Sequence, residues 1–360
     1  MQSQPLLRFS KMLVHCHAAV GALLFAYVTL HPIGLYSQTA DPHPAAMPKD
    51  TLSAASAKPM EIAVLVTDHE HRPVDDVALT QFKVKIDDAE PITPAAIYRE
   101  QDEPMSLTVL IDASRDSFHD LNELGGDLSG LAGAALLPTD RVSLYAIDCT
   151  VARSLVNVVP DAAVLRKGVA DALGYSKLHD GQTSSACGKT VHLWDDVAIA
   201  IAALSHMPGR RVLLLISSGK DGGSKYDWKS VQQYAMEQSV AIFGLRDQRQ
   251  VDADTDRPSS LSVHRGFDGP GMVPVPGVRN ATDLELLCAN SGGLTLSSTT
   301  LFRKDALADI LFLVRSRFIL SLPKEAYPPG TTHSVRASLP LLKPYFVTTT
   351  GASRPLAAQP

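Results

Sequence analysis

The sequence predicts a doubly wound, mostly parallel α/β sheet, flanked by N- and C-terminal β-strands that form a small β-sandwich. Three observations carry this expectation. Four nearly continuous apolar runs, at 107–111, 142–147, 212–216 and 240–245, have the character of strands buried on both faces. Segments with helical spacing separate them, which is the pattern of a wound sheet. Before and after this block, at 62–86 and 317–339, apolar residues alternate with polar ones, as in antiparallel strands with one wet face.

In chain order, Ile62, Val64 and Val66 alternate, and Asp68 to Pro73 makes a turn. Phe82, Val84 and Ile86 alternate again, and a second turn follows at 87–91. The first core strand, 107–111, ends in Asp112-Ala113-Ser114-Arg115-Asp116-Ser117, after which a helix is expected to about Leu137. Strand 142–147 follows, then a turn at 148–150, an edge strand at 151–158 and a helix over 161–173. Residues 174–190 read as a Gly/Ser-rich loop. Leu193, Val197, Ile201 and Leu204 stand at helical spacing. Strand 212–216 ends in Ser217-Ser218-Gly219. A helix at 228–238, strand 240–245, a loop at 247–281, a helix at 282–290, a strand near 294–296 and a helix at 303–315 complete the core. Strands at 317–322 and 334–339 close it.

Composition bounds the function. Among 360 residues, 33 basic and 38 acidic side chains give a net charge of −5, which argues against a polybasic nucleic-acid binder. Hydrophobic residues at 45% and charged residues at 20% are globular values, and four cysteines are too few for a disulfide scaffold. The N-terminus carries Arg8 and Lys11, then an apolar run from Met12 to about Leu30, then small and polar residues. This reads as a secretory signal that engages the membrane during export. The run is also close to the roughly 20 residues that span a bilayer, so a retained anchor is the alternative. Either reading places the rest of the chain outside the cytoplasm: periplasm, cell envelope or medium. The expected organisation is a signal peptide or anchor over 1–40, a disordered linker over 41–58 and an N-terminal β segment over 59–103. An α/β domain over 104–316, a C-terminal β segment over 317–350 and a tail over 351–360 follow.

Ligands of open α/β sheets bind outside the carboxyl ends of the strands. Three loops there carry chemistry: Asp112-Ala113-Ser114-Arg115-Asp116, Gly188-Lys189-Thr190, and Ser217-Ser218-Gly219-Lys220-Asp221. Their order resembles the von Willebrand factor A (vWA) family, which has Asp-x-Ser-x-Ser after its first strand, a central Thr, and Asp-Gly after a later strand. It is most similar to bacterial VWFA-related proteins of the acidobacterial type, exported chains whose flanking strands match Val64-Leu65-Val66-Thr67-Asp68 and Gln81-Phe82-Lys83-Val84. The resemblance spans about 60–350 and is strongest over 105–245.

The resemblance implies a Rossmann-like sheet and a non-catalytic module that binds or adheres to a protein partner through its top-face loops. It also implies a metal-ion-dependent adhesion site holding Mg²⁺ or Ca²⁺. Asp112, Ser114 and Thr190 match that site. Asp116 replaces its second Ser, and Ser218 replaces its Asp. With two of five positions changed, a degenerate site in which Ser114, Thr190 and Ser218 hydrogen-bond one another is favoured over a metal-loaded one. The alternatives are a metal-free structural scaffold and an envelope hydrolase.

Other constellations are weaker. Gly181 lies too far from Gly188-Lys189-Thr190 for a phosphate loop. Ser217-Ser218-Gly219 lacks the G-x-S-x-G frame of a nucleophile turn. In the expected fold Cys149 and Cys187 both lie at the carboxyl edge of the sheet, and an exported compartment permits a disulfide between them, with two free thiols as the alternative. Cys288, Trp194 and Trp228 read as packing residues.

Overall fold

The computed structural model describes residues 60–101, 103–114, 117, 121–148, 150–180, 191–249, 281–323, 333–342 and 345–350, with the side chains of 150 and 175–180 outside that description. The expected signal, linker and tail therefore lie outside the described residues, as do Asp116, Thr190, Cys149 and Cys187. Among the described residues, no helix is long and apolar enough to cross a membrane.

The centre is a six-stranded sheet of β4 (Met105–Asp112), β5 (Arg141–Asp148), β6 (Thr150–Val158), β7 (Arg210–Ile216), β8 (Val240–Asp247) and β9 (Thr295–Ser298). Their spatial order is β6-β5-β4-β7-β8-β9. All neighbours are parallel except the edge strand β6, which runs antiparallel to β5. The fold class is the doubly wound α/β sheet expected from the apolar runs. Period-two alternation divides each run between two cores. Leu107, Val109 and Ile111 of β4 face α1 (Leu124–Ser129), α2 (Ala162–Asp180) and α6 (Arg303–Arg315). Leu110, with Leu213 and Leu215 of β7, faces α3 (Leu193–Ser205), α4 (Trp228–Glu237) and α5 (Asp283–Asn290). Cys288, Trp194 and Trp228 are packed in this second core. The strand order reverses between β4 and β7, so their carboxyl ends open a crevice, the usual ligand position in such sheets.

The helix expected to run to Leu137 is shorter. Only Leu124–Ser129 is helical, and residues 130–137 close into turns. Gly125, Gly126, Gly130 and Gly133 crowd this segment, and each lowers helix propensity by about 1 kcal/mol relative to Ala. Conversely, α2 runs on to Asp180, into the stretch expected to be a loop.

The bracketing strands meet. β1 (Met60–Thr67) lies between β10 (Phe318–Leu322) and β12 (Phe346–Thr349), and β10 also pairs with β3 (Ala96–Arg99). β2 (Lys83–Ile86) pairs with β11 (Val335–Ser338). Both sheets contribute to one apolar cluster containing Ile62, Val64, Phe82, Val84, Phe318, Leu320 and Val335. β3 and β12 were not singled out by alternation; both are short, and their residues are mostly half-buried.

Candidate functional site

The crevice between β4 and β7 is built by register. Ile111 stands opposite Ile216, which brings the next residues, Asp112 and Ser217, side by side on neighbouring parallel strands. Asp112 is 1% exposed and Ser217 is fully buried. Asp112 Oδ2 accepts the Ser217 hydroxyl at 2.7 Å. Its Oδ1 accepts the Ser114 hydroxyl at 2.6 Å and the Ser114 amide at 3.0 Å. Burial pushes the Asp112 carboxyl up from its usual range, against the opposing pull of Ser114, Ser217 and Ser117. The Ser217 hydroxyl also accepts the Gly219 amide at 3.1 Å, so one serine fixes both the acid and the turn.

The next loop residue behaves differently. The Ser218 hydroxyl accepts the Lys220 amide at 3.2 Å, within its own turn. The expected network joining Ser114 and Ser218 is therefore replaced by two separate commitments: Ser114 to Asp112, and Ser218 to Lys220. The physical reason is position. The side chain that continues the strand, Ser217, is the one aimed at Asp112. Thr190, the third member of the expected network, lies outside the described residues.

The start of α3 closes the other side of the crevice. The Gly222 amide donates to the Val191 carbonyl at 2.7 Å. The Ser224 hydroxyl accepts the Trp194 amide at 3.0 Å and donates to Asp221, so a residue of the β7 loop caps the helix. Asp195 returns the contact by accepting the Lys225 and Tyr226 amides, each at 3.0 Å. Asp221 also accepts the Gly223 and Ser224 amides. Burial raises its carboxyl, but the bonds from Ser224 and Gly223 outweigh it and hold it below the usual range.

Asp196, in the first turn of α3, is 8% exposed. Burial first, then the carboxylates of Asp195, Asp112 and Asp221, push it up to about 6, while His192 pulls the other way. The sequence places Ser217 and Asp221 in the loop after β7 without indicating a role for either, and does not single out Asp196. The signal for Ser217 lay in aligning the two apolar runs at their ends. For Asp196 it was a second acid at the buried face of an amphipathic helix, one residue beyond Asp195, which accepts the Lys225 and Tyr226 amides of the β7 loop.

A hard divalent cation takes oxygen donors, hydroxyl as well as carboxylate. Asp112, Ser114 and Ser218 supply such donors. Asp196 adds a carboxylate whose pKa is raised in part by that of Asp112, so the oxygen donors present are of the kind such an ion takes. Among the described residues, no group of three or more His, Cys, Asp or Glu side chains is arranged to hold a metal; the set depends on serine oxygens.

No family model matches the sequence, and no curated protein matches it. Solved structures share parts of the chain trace. BatB of Bacteroides thetaiotaomicron, a conserved hypothetical protein, aligns over 59% of this chain and 98% of its own, with 12% identity and a TM-score of 0.38. Proximal thread matrix protein 1 of the mussel byssus aligns over 68% of this chain, with 7% identity and a TM-score of 0.41. A structure of that mussel protein with a zinc-occupied MIDAS motif aligns over 60%, with 13% identity and a TM-score of 0.38. The chain spans about half the length of the mussel protein, 51% and 49% in the two structures.

Proposed function

We propose that this chain is an exported, non-catalytic binding module of the vWA type, whose carboxyl-edge loops engage a protein of the cell envelope. The observation that carries the reading is the meeting of Asp112, Ser114 and Ser217 at the strand-order reversal. There, the last residue of β4 and two loop serines make a hydrogen-bonded rim where this fold class binds its ligands. Both serine hydroxyls donate to a carboxylate, an arrangement that orders loops and does not activate a nucleophile. That favours a docking surface over a hydrolase. Asp112, Ser114 and Ser218, with Asp116 and Thr190 outside the described residues, would hold the Mg²⁺ or Ca²⁺ of such a module; a bound ion would offer a positive docking point for a partner's carboxylate. A Cys149–Cys187 disulfide, both residues lying outside those described, belongs to this proposal.

Photo-crosslinking in the cells that make the protein tests it. A photoreactive residue at Lys220, on the rim, is expected to give a discrete adduct with another protein. The same residue at Thr139, in the turn that leads into β5 at the opposite edge, is expected to give none. Equal labelling from both edges, or none from the rim, overturns the reading.

A further inference from the structure

A groove of about 900 Å³ runs along α6 and contains none of the rim residues. One wall is the helix, the other the turns after α1. From Lys304 to Arg315 the helix extends about 16 Å. Between those two residues the lining is apolar, with Leu131, Ala135 and Leu137 facing Leu311 and Phe312. Phe312 is 59% exposed, so this apolar surface is open to solvent. The two ends differ in their charge. At one, Arg99 is committed to Asp75 and to the carbonyls of Val74 and Ser316. Beside it, Arg315 is committed to Asp140 and to the carbonyls of Gln101 and Glu103. At the other end, Lys304 forms no hydrogen bond or ion pair with a described residue. Its stem lies against Gly130: a Cβ there would stand 2.9 Å from Lys304 Cε and 3.4 Å from Nζ. The missing side chain at 130 lets the ammonium reach the groove.

We propose that this groove binds a long-chain carboxylate, its acyl chain along the apolar lining and its head group at Lys304. The volume lies within the roughly 300–1,000 Å³ of ligand clefts, which are mostly apolar with a few placed polar groups. An extended peptide on this lining would turn backbone amides and carbonyls toward side chains that cannot pair with them. An acyl chain has no such groups. The charge of the ligand follows from which cation is uncommitted: the arginines at one end already have carboxylate partners, and Lys304 does not. Asp305, the acid that lines the same end, makes no ion pair with Lys304, and Gly130 lies against the lysine alone. The groove shares no residue with the rim, so this site and the docking rim stand or fall separately.

The test is calorimetric titration of the full chain with octanoate, decanoate, dodecanoate, dodecanol and dodecylammonium, each below its micelle concentration. Dodecanoate is expected to bind more tightly than dodecanol or dodecylammonium. From octanoate to dodecanoate, each added methylene should tighten binding about twofold to fourfold, the upper value for full burial. Lys304→Gln is expected to weaken dodecanoate about threefold to fivefold, the worth of an exposed ion pair, and to leave dodecanol unchanged. Gly130→Ala keeps the charge but displaces it, and should weaken dodecanoate selectively too. Phe312→Ser should weaken acid and alcohol alike. Its side chain is largely exposed, so the unfolding temperature should hold and show that the fold is intact. Wild type that binds no dodecanoate overturns the proposal. So does equal affinity for dodecanol, which marks an unspecific apolar trough, or preference for dodecylammonium, which gives the charge at that end to Asp305. A Lys304→Gln variant that binds dodecanoate like wild type overturns it as well.

Discussion

The Arg317 guanidinium makes two parallel bonds to the Glu100 carboxylate, at 2.6 and 2.7 Å, with both side chains 1% exposed. The pair sits where the chain passes from β3 into the α/β sheet and where it leaves α6 for β10. The Glu100 amide also donates to the Arg317 carbonyl at 3.0 Å. The two crossings between the β strands and the wound sheet are thus fastened to each other. Around them, Arg210 bonds to Glu103, and Arg315 bonds to the carbonyls of Gln101 and Glu103.

Removing one partner should leave a buried, uncompensated charge. Glu100→Ala or Arg317→Ala is expected to destabilise by about 3–5 kcal/mol. The double replacement Glu100→Leu with Arg317→Met should recover much of that loss, because an apolar pair of similar volume needs no compensation. Urea unfolding of the three variants checks this. A double variant as unstable as the worse single one would contradict it.

At the rim, Ser217 and Ser218 separate by role. Ser217→Ala deletes the donor to Asp112 and the acceptor for Gly219, and is expected to cost about 1–3 kcal/mol. Ser218→Ala deletes one acceptor within its own turn and should cost less. Denaturant midpoints for the two variants, with hydrogen exchange at the Ser114 and Gly219 amides, measure the difference. The order reversed would mean that the loop after β7 is held by Ser218.

How far these features could be read beforehand follows from which interactions are local. The core strands were legible because each is a single apolar run, and a parallel sheet buried on both faces demands that. Asp112 and Ser114 were legible because their bond spans two residues. Ser217 was not, since its partner lies 105 residues away and only the β4–β7 register aligns them. Asp196 was hidden for the same reason: its neighbours Asp112 and Asp221 come from two other loops. The apolar residues from Leu124 to Leu137 suggest a longer helix than α1, which ends at Ser129 because glycines interrupt the segment.

Gly219 turns the chain out of β7 toward the rim with φ at +81°. A Cβ there would stand 2.8 Å from Cβ of Leu284 on α5, closer than real contacts allow. Gly219→Ala is expected to cost about 1–3 kcal/mol through left-handed backbone and overlap together. It should also shift the Ser217 hydroxyl away from Asp112, so its effect on rim crosslinking should exceed its effect on unfolding temperature. A variant with normal stability and normal crosslinking would show that the turn yields freely.

Asp196 gives the metal-free protein a specific acid dependence. Burial and the carboxylates of Asp195, Asp112 and Asp221 raise it from 3.8 to about 6, with His192 opposing. The native state therefore holds this proton more tightly than the unfolded chain does. Its contribution to stability is complete below about pH 4, is lost as the pH rises to about 6, and stays lost above that. Asp112, raised by burial, acts in the same direction and is common to wild type and variant. In EDTA, Asp196→Asn is expected to be more stable than wild type at pH 7.5 by roughly 1–2 kcal/mol, less than the full shift because the carboxylate sits near solvent at the rim. The two should converge near pH 4. Unfolding temperatures measured at half-unit intervals from pH 4 to 8 decide this, and parallel curves for the two proteins would show that Asp196 carries no such strain.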